Sequence, residues 1–203
     1  VQRDSLRERL KEYAEISEIE EISRRYLVMN AFDGTLTMLG VIIGAYLAKI
    51  KSPLSIISAG LAGSMAMGIS GIAGAYMTER AERLRRLKEL ERAMLKNLRK
   101  SVHYRSQRFA TLVVALIDGL SPMIASICVL FPFFLVHFSI IPFSIAIYLS
   151  IAMALLIMTL LGIYLAKISK ESKLKYGLQM IGIGILTALA CILISMALGG
   201  GIT

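Results

Sequence analysis

The 203-residue chain is 56% hydrophobic, has a mean hydropathy of +0.69 and carries 23 Lys and Arg against 14 Asp and Glu. This balance excludes an ordinary soluble domain, and a formal charge of +9 confined to a few blocks points to loops beside anionic headgroups rather than to nucleic acid. Cys128, Cys191, His103 and His137 each stand alone, without a CxxC spacing, which excludes a disulfide framework, a zinc site and histidine-based catalysis.

The first 26 residues are polar, so no signal peptide is expected ahead of the first apolar run. Within them Leu6, Leu10, Tyr13, Ile16, Ile19 and Ile22 recur at helical spacing and predict an amphipathic helix. A membrane crossing needs about 20 apolar residues, and five such stretches follow: 27–48, 54–77, 109–136, 139–166 and 176–198. The third and fourth come from one long run, with Pro142 as the turn between them. No Pro or Gly occurs between Tyr76 and Phe109, which predicts that the second span continues as one helix into the segment 78–108. There Leu84, Leu87, Leu90, Met94, Leu98 and Val102 form a second apolar stripe. The fold class expected is an all-α integral membrane protein with five transmembrane helices and cytoplasmic amphipathic helices.

Charge sets the orientation. Lys and Arg number 6 in residues 1–26, 2 in the first hairpin, 11 from Arg80 to Arg108, none in the second hairpin and 4 from Lys167 to Lys175. By the positive-inside rule the N-terminal helix 1–26, the extension 78–108 and the loop before the last span are cytoplasmic, and the tail 199–203 is external. A weak internal repeat is also visible. Phe32-Asp33-Gly34-Thr35 matches Ile117-Asp118-Gly119-Leu120, and Gly74-Ala75-Tyr76-Met77 matches Gly162-Ile163-Tyr164-Leu165. Spans one and two would recur as three and four, with the fifth added.

The spans hold two acids, Asp33 and Asp118, and a carboxylate in hydrocarbon reads first as an ion site, a proton relay or a buried pair. Met29, Asn30 and Thr37 lie one turn from Asp33. Carboxylate, amide and thioether together suit ferrous iron or manganese better than calcium, and Met65 and Met67 of the second span could add thioethers. That span is small on nearly every face from Ala59 to Gly74, so it is expected to be buried among neighbours. Gly40 and Gly44 form a GxxxG pair in the first span that serves either dimerisation or internal packing. Glu79, Glu82 and Glu89 project from one side of the extension and could collect a cation. Equally, Glu79 with Arg83 and Glu82 with Arg86 read as i,i+4 ion pairs.

Asp33-Gly34, Ala59-Gly60-Leu61-Ala62 with Ser70, Gly74 and Tyr76, and Leu130-Phe131-Pro132-Phe133, in this order over five spans, resemble the vacuolar iron transporter family. The resemblance covers most of Arg25 to Leu198. It implies a homodimer that exports ferrous iron or manganese from the cytoplasm in exchange for protons, with metal passing along the first spans. It also implies a multi-pass protein of a prokaryotic, archaeal plasma membrane with no resident cofactor. The family's first-span aspartate maps to Asp33. Its second-span acid is Gly63 here, and its methionine after the serine is Gly71. The mechanism expected is collection of the cation by Glu79 and Glu82, dehydration onto Asp33 with Met29, Asn30, Met65 or Met67, and alternate protonation of Asp118 or Asp33.

Four other readings follow from the same residues. An intramembrane aspartyl protease would need Gly-x-Gly-Asp, but Ala115-Leu116-Ile117 precedes Asp118; a CDP-alcohol phosphotransferase would need further aspartates, and Thr35 to Ala48 contains none. No enzyme is therefore expected. A membrane scaffold that recruits a partner through its basic helix, or a transporter of a non-metal substrate, uses the aspartates differently.

Overall fold

The computed structural model describes residues 19–95, 97 and 101–197. These form five helices: α1 Ile19–Leu47, α2 Pro53–Met94, α3 Val102–His137, α4 Phe143–Ser169 and α5 Lys173–Ala197. Among the described residues there is no strand. Every helix contains a stretch long and apolar enough to cross a membrane. The stripe from Leu6 to Ile16 and the tail 199–203 lie outside the described residues.

Local signals explain the helix ends. The Ser52 hydroxyl accepts from the Ser55 N–H at 3.3 Å with Pro53 as the first helical residue, and the Ser101 hydroxyl accepts from the Tyr104 N–H at 3.2 Å; both are N-terminal caps. Pro142, extended at φ −71° and ψ 152°, precedes α4, as the turn expected there requires. At the other ends Lys49, Ser139 and Lys170 adopt positive φ. The next N–H then reaches back, from Ile50 to the Ala45 oxygen at 3.0 Å and from Ile140 to the Leu135 oxygen at 2.9 Å, which satisfies carbonyls the helix leaves open.

The expected continuous extension is corrected at one point. α2 does run beyond the apolar stretch, but it stops at Met94, where Leu95 has φ 51°. No glycine marks this left-handed residue, so the usual stop signal is missing from the sequence. Because a left-handed side chain costs about 1–2 kcal/mol and glycine gives back part of that as unfolded-chain entropy, Lys170→Gly is expected to stabilise the protein by about 0.5–1 kcal/mol. Thermal unfolding of the purified protein in detergent measures it.

The helices contribute to two compact units. One contains the described residues up to Met29 with Gly68–Ser121; the other contains Asn30–Met67 with the described residues from Pro122 onward. In the second unit the core is built from Met38, Leu39 and Ile42 of α1, Ile56 and Ile57 of α2, Leu130 and Phe133 of α3, and Ala146 and Ala154 of α4. Glycines allow the close crossings. A Cβ on Gly34 would lie 2.7 Å from the Pro122 Cα, and the Ser126 hydroxyl donates to the Gly34 carbonyl at 3.1 Å. Gly162 gives α5 the same access, with a Cβ there falling 2.9 Å from the Tyr176 carbonyl oxygen.

In the first unit Ile19, Ala110 and Val114 are buried together, with Ile22 and Tyr26 packed against them. A Cβ on Gly119 would run into the Gly68 carbonyl and lie 3.0 Å from the Ile72 nitrogen, so α2 and α3 touch backbone to backbone. Of the stripe on the extension, Leu87 is buried, whereas Leu84, Leu90, Met94 and Val102 are exposed.

Full burial of the small-residue span is corrected too. Gly60 and Ser64 of the second unit and Gly68 of the first are buried, but Ala59, Ala62, Gly63 and Ala66, and then Ser70, Ala73 and Gly74, are exposed. Nothing lies within 4 Å of a Cβ placed on Gly63 or Gly74. Small side chains permit close packing on every face of a helix, but among the described residues only one face is packed.

Candidate functional site

The two acids of the spans have opposite surroundings. Asp33 of the second unit is exposed on α1, as is Thr37 one turn later. Among the described residues its carboxylate forms no hydrogen bond or ion pair. Thr35, between them in sequence, turns inward and donates to the Ala31 carbonyl at 2.7 Å. Asn30 is half-buried, Met65 is exposed and Met67 is half-buried in the same unit. Met29, which belongs to the first unit, is exposed as well.

Asp118 is buried, 9% exposed, in the first unit. A Cβ on Gly71 would lie 3.0 Å from the Asp118 Oδ2 and 3.0 Å from the Gly119 Cα. The absence of a side chain at position 71 is therefore what lets this carboxylate lie against α2. The Tyr26 ring is within electrostatic range of Asp118 and of Glu79, and its hydroxyl donates to the Glu79 carboxylate. Glu79 in turn accepts from Arg83 Nε at 3.0 Å, both side chains being largely buried, and Arg83 Nη1 donates to Gln107 Oε1. The result is a chain of polar groups, Tyr26, Glu79, Arg83 and Gln107, linking α1, α2 and α3 inside one unit.

Two further acids of the extension, Glu82 and Glu89, are ion-paired on the surface. Glu82 accepts from Arg86 at 3.2 Å and Glu89 from Arg85 at 3.1 Å. Glu79, Glu82 and Glu89 are thus each matched to an arginine instead of gathering, and among the described residues no three His, Cys, Asp or Glu side chains are grouped to hold a metal. Tyr26 and Gln107 are the polar residues that sequence spacing does not single out, whereas the pairing of Arg83 with Glu79 follows from it. Tyr26 had a signal, a tyrosine on the border between charged and apolar sequence. Gln107 had none, because its partner is 24 residues away.

The family model described as the VIT family matches residues 24–109 and 92–196. An uncharacterised protein of Methanocaldococcus jannaschii is 37% identical over 180 residues, covering 87% of this chain and 91% of the relative. These matches take in all five helices and both aspartates, and the chain belongs to the VIT family.

Proposed function

We propose that this chain is a metal-ion transporter that moves ferrous iron or manganese out of the cytoplasm in exchange for protons, acting as a homodimer in a prokaryotic plasma membrane with its N-terminus inside. Membership of the family supports membrane metal transport. The observation that carries the reading is Asp33, a carboxylate exposed on the surface of a helix that crosses the membrane. Facing lipid, such a group would cost about 2.5–3.5 kcal/mol even on the lowest scales. A second copy covering that face turns the cost into a site, since it encloses Asp33 with its symmetry mate. The exposed small residues of α2 and Gly44 of α1, with nothing within 4 Å of its Cβ position, would let two such faces approach closely.

Proton exchange follows from the chemistry of the ligand. A carboxylate binds a divalent cation only when deprotonated, so metal and proton compete for the same oxygen atoms and release of one accompanies uptake of the other. Asp118, kept buried, is the second group able to carry a proton. The test is uptake of ferrous iron and of manganese into proteoliposomes that contain a pH dye. Metal entry with proton exit is the expected result. No flux of either metal, from folded and inserted protein, would overturn the reading in favour of another substrate or a scaffold.

A further inference from the structure

A cleft of about 490 Å³ opens in the first unit between α2 and the start of α3. Arg80, Arg83 and Arg108 line it together with Tyr76, Tyr104 and Gln107, and no acidic side chain is among its described lining residues. Arg83 is neutralised by Glu79. Arg80 lies over the Tyr76 ring, 5.9 Å from its centroid, and among the described residues neither Arg80 nor Arg108 is paired with a carboxylate. Among the described residues, two guanidinium charges are therefore uncompensated beside hydroxyl and amide donors. Metal cations are repelled by such a lining, so the cleft serves a different ligand from the one Asp33 is proposed to bind.

We propose that this cleft binds a phosphate group, supplied by the headgroup of an anionic phospholipid. Guanidinium groups offer paired N–H donors that match phosphate oxygens, and tyrosine hydroxyls add further donors. The cleft's place in the sequence favours lipid over a dissolved anion. Tyr76 is in the last apolar turn of α2 before charges begin at Glu79, and Arg108 is the last charge of α3 before the apolar run from Phe109. The arginines consequently lie at headgroup depth, on the side that carries most of the basic residues, where anionic lipid is attracted. Three leucines share the lining and provide apolar surface for the glycerol and first acyl carbons. The inference needs the membrane-spanning reading but not metal transport.

Purified full-length protein in detergent is titrated with phosphatidylglycerol, with phosphatidylcholine and with inorganic phosphate, and binding is followed by native mass spectrometry and by thermal stability. Phosphatidylglycerol is expected to bind more tightly than phosphatidylcholine. Replacing both free arginines, Arg80→Gln with Arg108→Gln, should raise the concentration needed at least about tenfold, as loss of charge-assisted hydrogen bonds implies. Arg85→Gln with Arg86→Gln removes equal charge outside the cleft, from α2 alone, and should leave binding unchanged. Circular dichroism verifies that both variants are folded. Equal loss in both variants, or equal binding of the two lipids, overturns the proposal. Stabilisation by inorganic phosphate alone overturns the lipid as the source.

Discussion

Asp33→Asn is expected to abolish metal-coupled proton flux in proteoliposomes while the protein remains folded and inserted. The asparagine keeps the size and hydrogen-bonding capacity of the side chain but cannot carry negative charge or exchange a proton. Outer-shell partners of metal ligands commonly contribute 10–100-fold to affinity, so loss of a direct ligand is expected to reduce flux by at least about a hundredfold. The fold should survive because, among the described residues, nothing in the protomer is bonded to this carboxylate. The measurement is initial rate against metal concentration for the wild type and variant, with circular dichroism and thermal unfolding as controls for the fold. Unchanged flux in Asp33→Asn would remove Asp33 from the path.

Gly34→Ala and Gly119→Ala are expected to have the opposite signature, loss of stability. Their missing side chains are spaces occupied by the backbone of a neighbouring helix, Pro122 in one case and Gly68 with Ile72 in the other. A side chain in the way can rotate aside, but a helix backbone moves only by displacing its whole packed face. Overpacking of this kind typically costs 1–3 kcal/mol. The upper end is expected here, about 3 kcal/mol, or roughly 10 °C in Tm for a chain of this length. Gly63→Leu supplies the contrast, since open space surrounds that position. It should leave protomer stability nearly unchanged and convert the proposed dimer to monomers, which light scattering of the detergent-solubilised protein detects. A Gly63→Leu protein that stays dimeric would show that this face is not the dimer contact.

Hydropathy was enough to locate the five helices because the bilayer imposes its own length on any crossing segment, independent of how segments pack. The turn at Pro142 was legible for a related reason: a proline acts through its own backbone. The break at Leu95 was not, because a left-handed leucine is a compromise reached by the whole chain rather than a preference of the residue. Ion pairs four residues apart, Glu79 with Arg83 and Glu82 with Arg86, could be read from the helical period alone.

What a residue faces is a different kind of information. Asp33-Gly34 and Asp118-Gly119 are the same dipeptide in similar spans, yet one carboxylate is exposed and the other lies against Gly71. Periodicity gives the angle between side chains on one helix but not which neighbour meets each angle. The small-residue span shows the same limit, since alanine, glycine and serine suit a buried face and an open one equally. Gln107 joined Arg83 across 24 residues, and the arginines of the cleft came together from two helices, neither of which shows it by itself. The chain's sequence therefore determined its solvent, its span count and its charge asymmetry, which are sums over local composition. Tertiary structure decided which acid is buried, which face is left open and where positive charge is concentrated, because those depend on contacts between residues far apart in the chain.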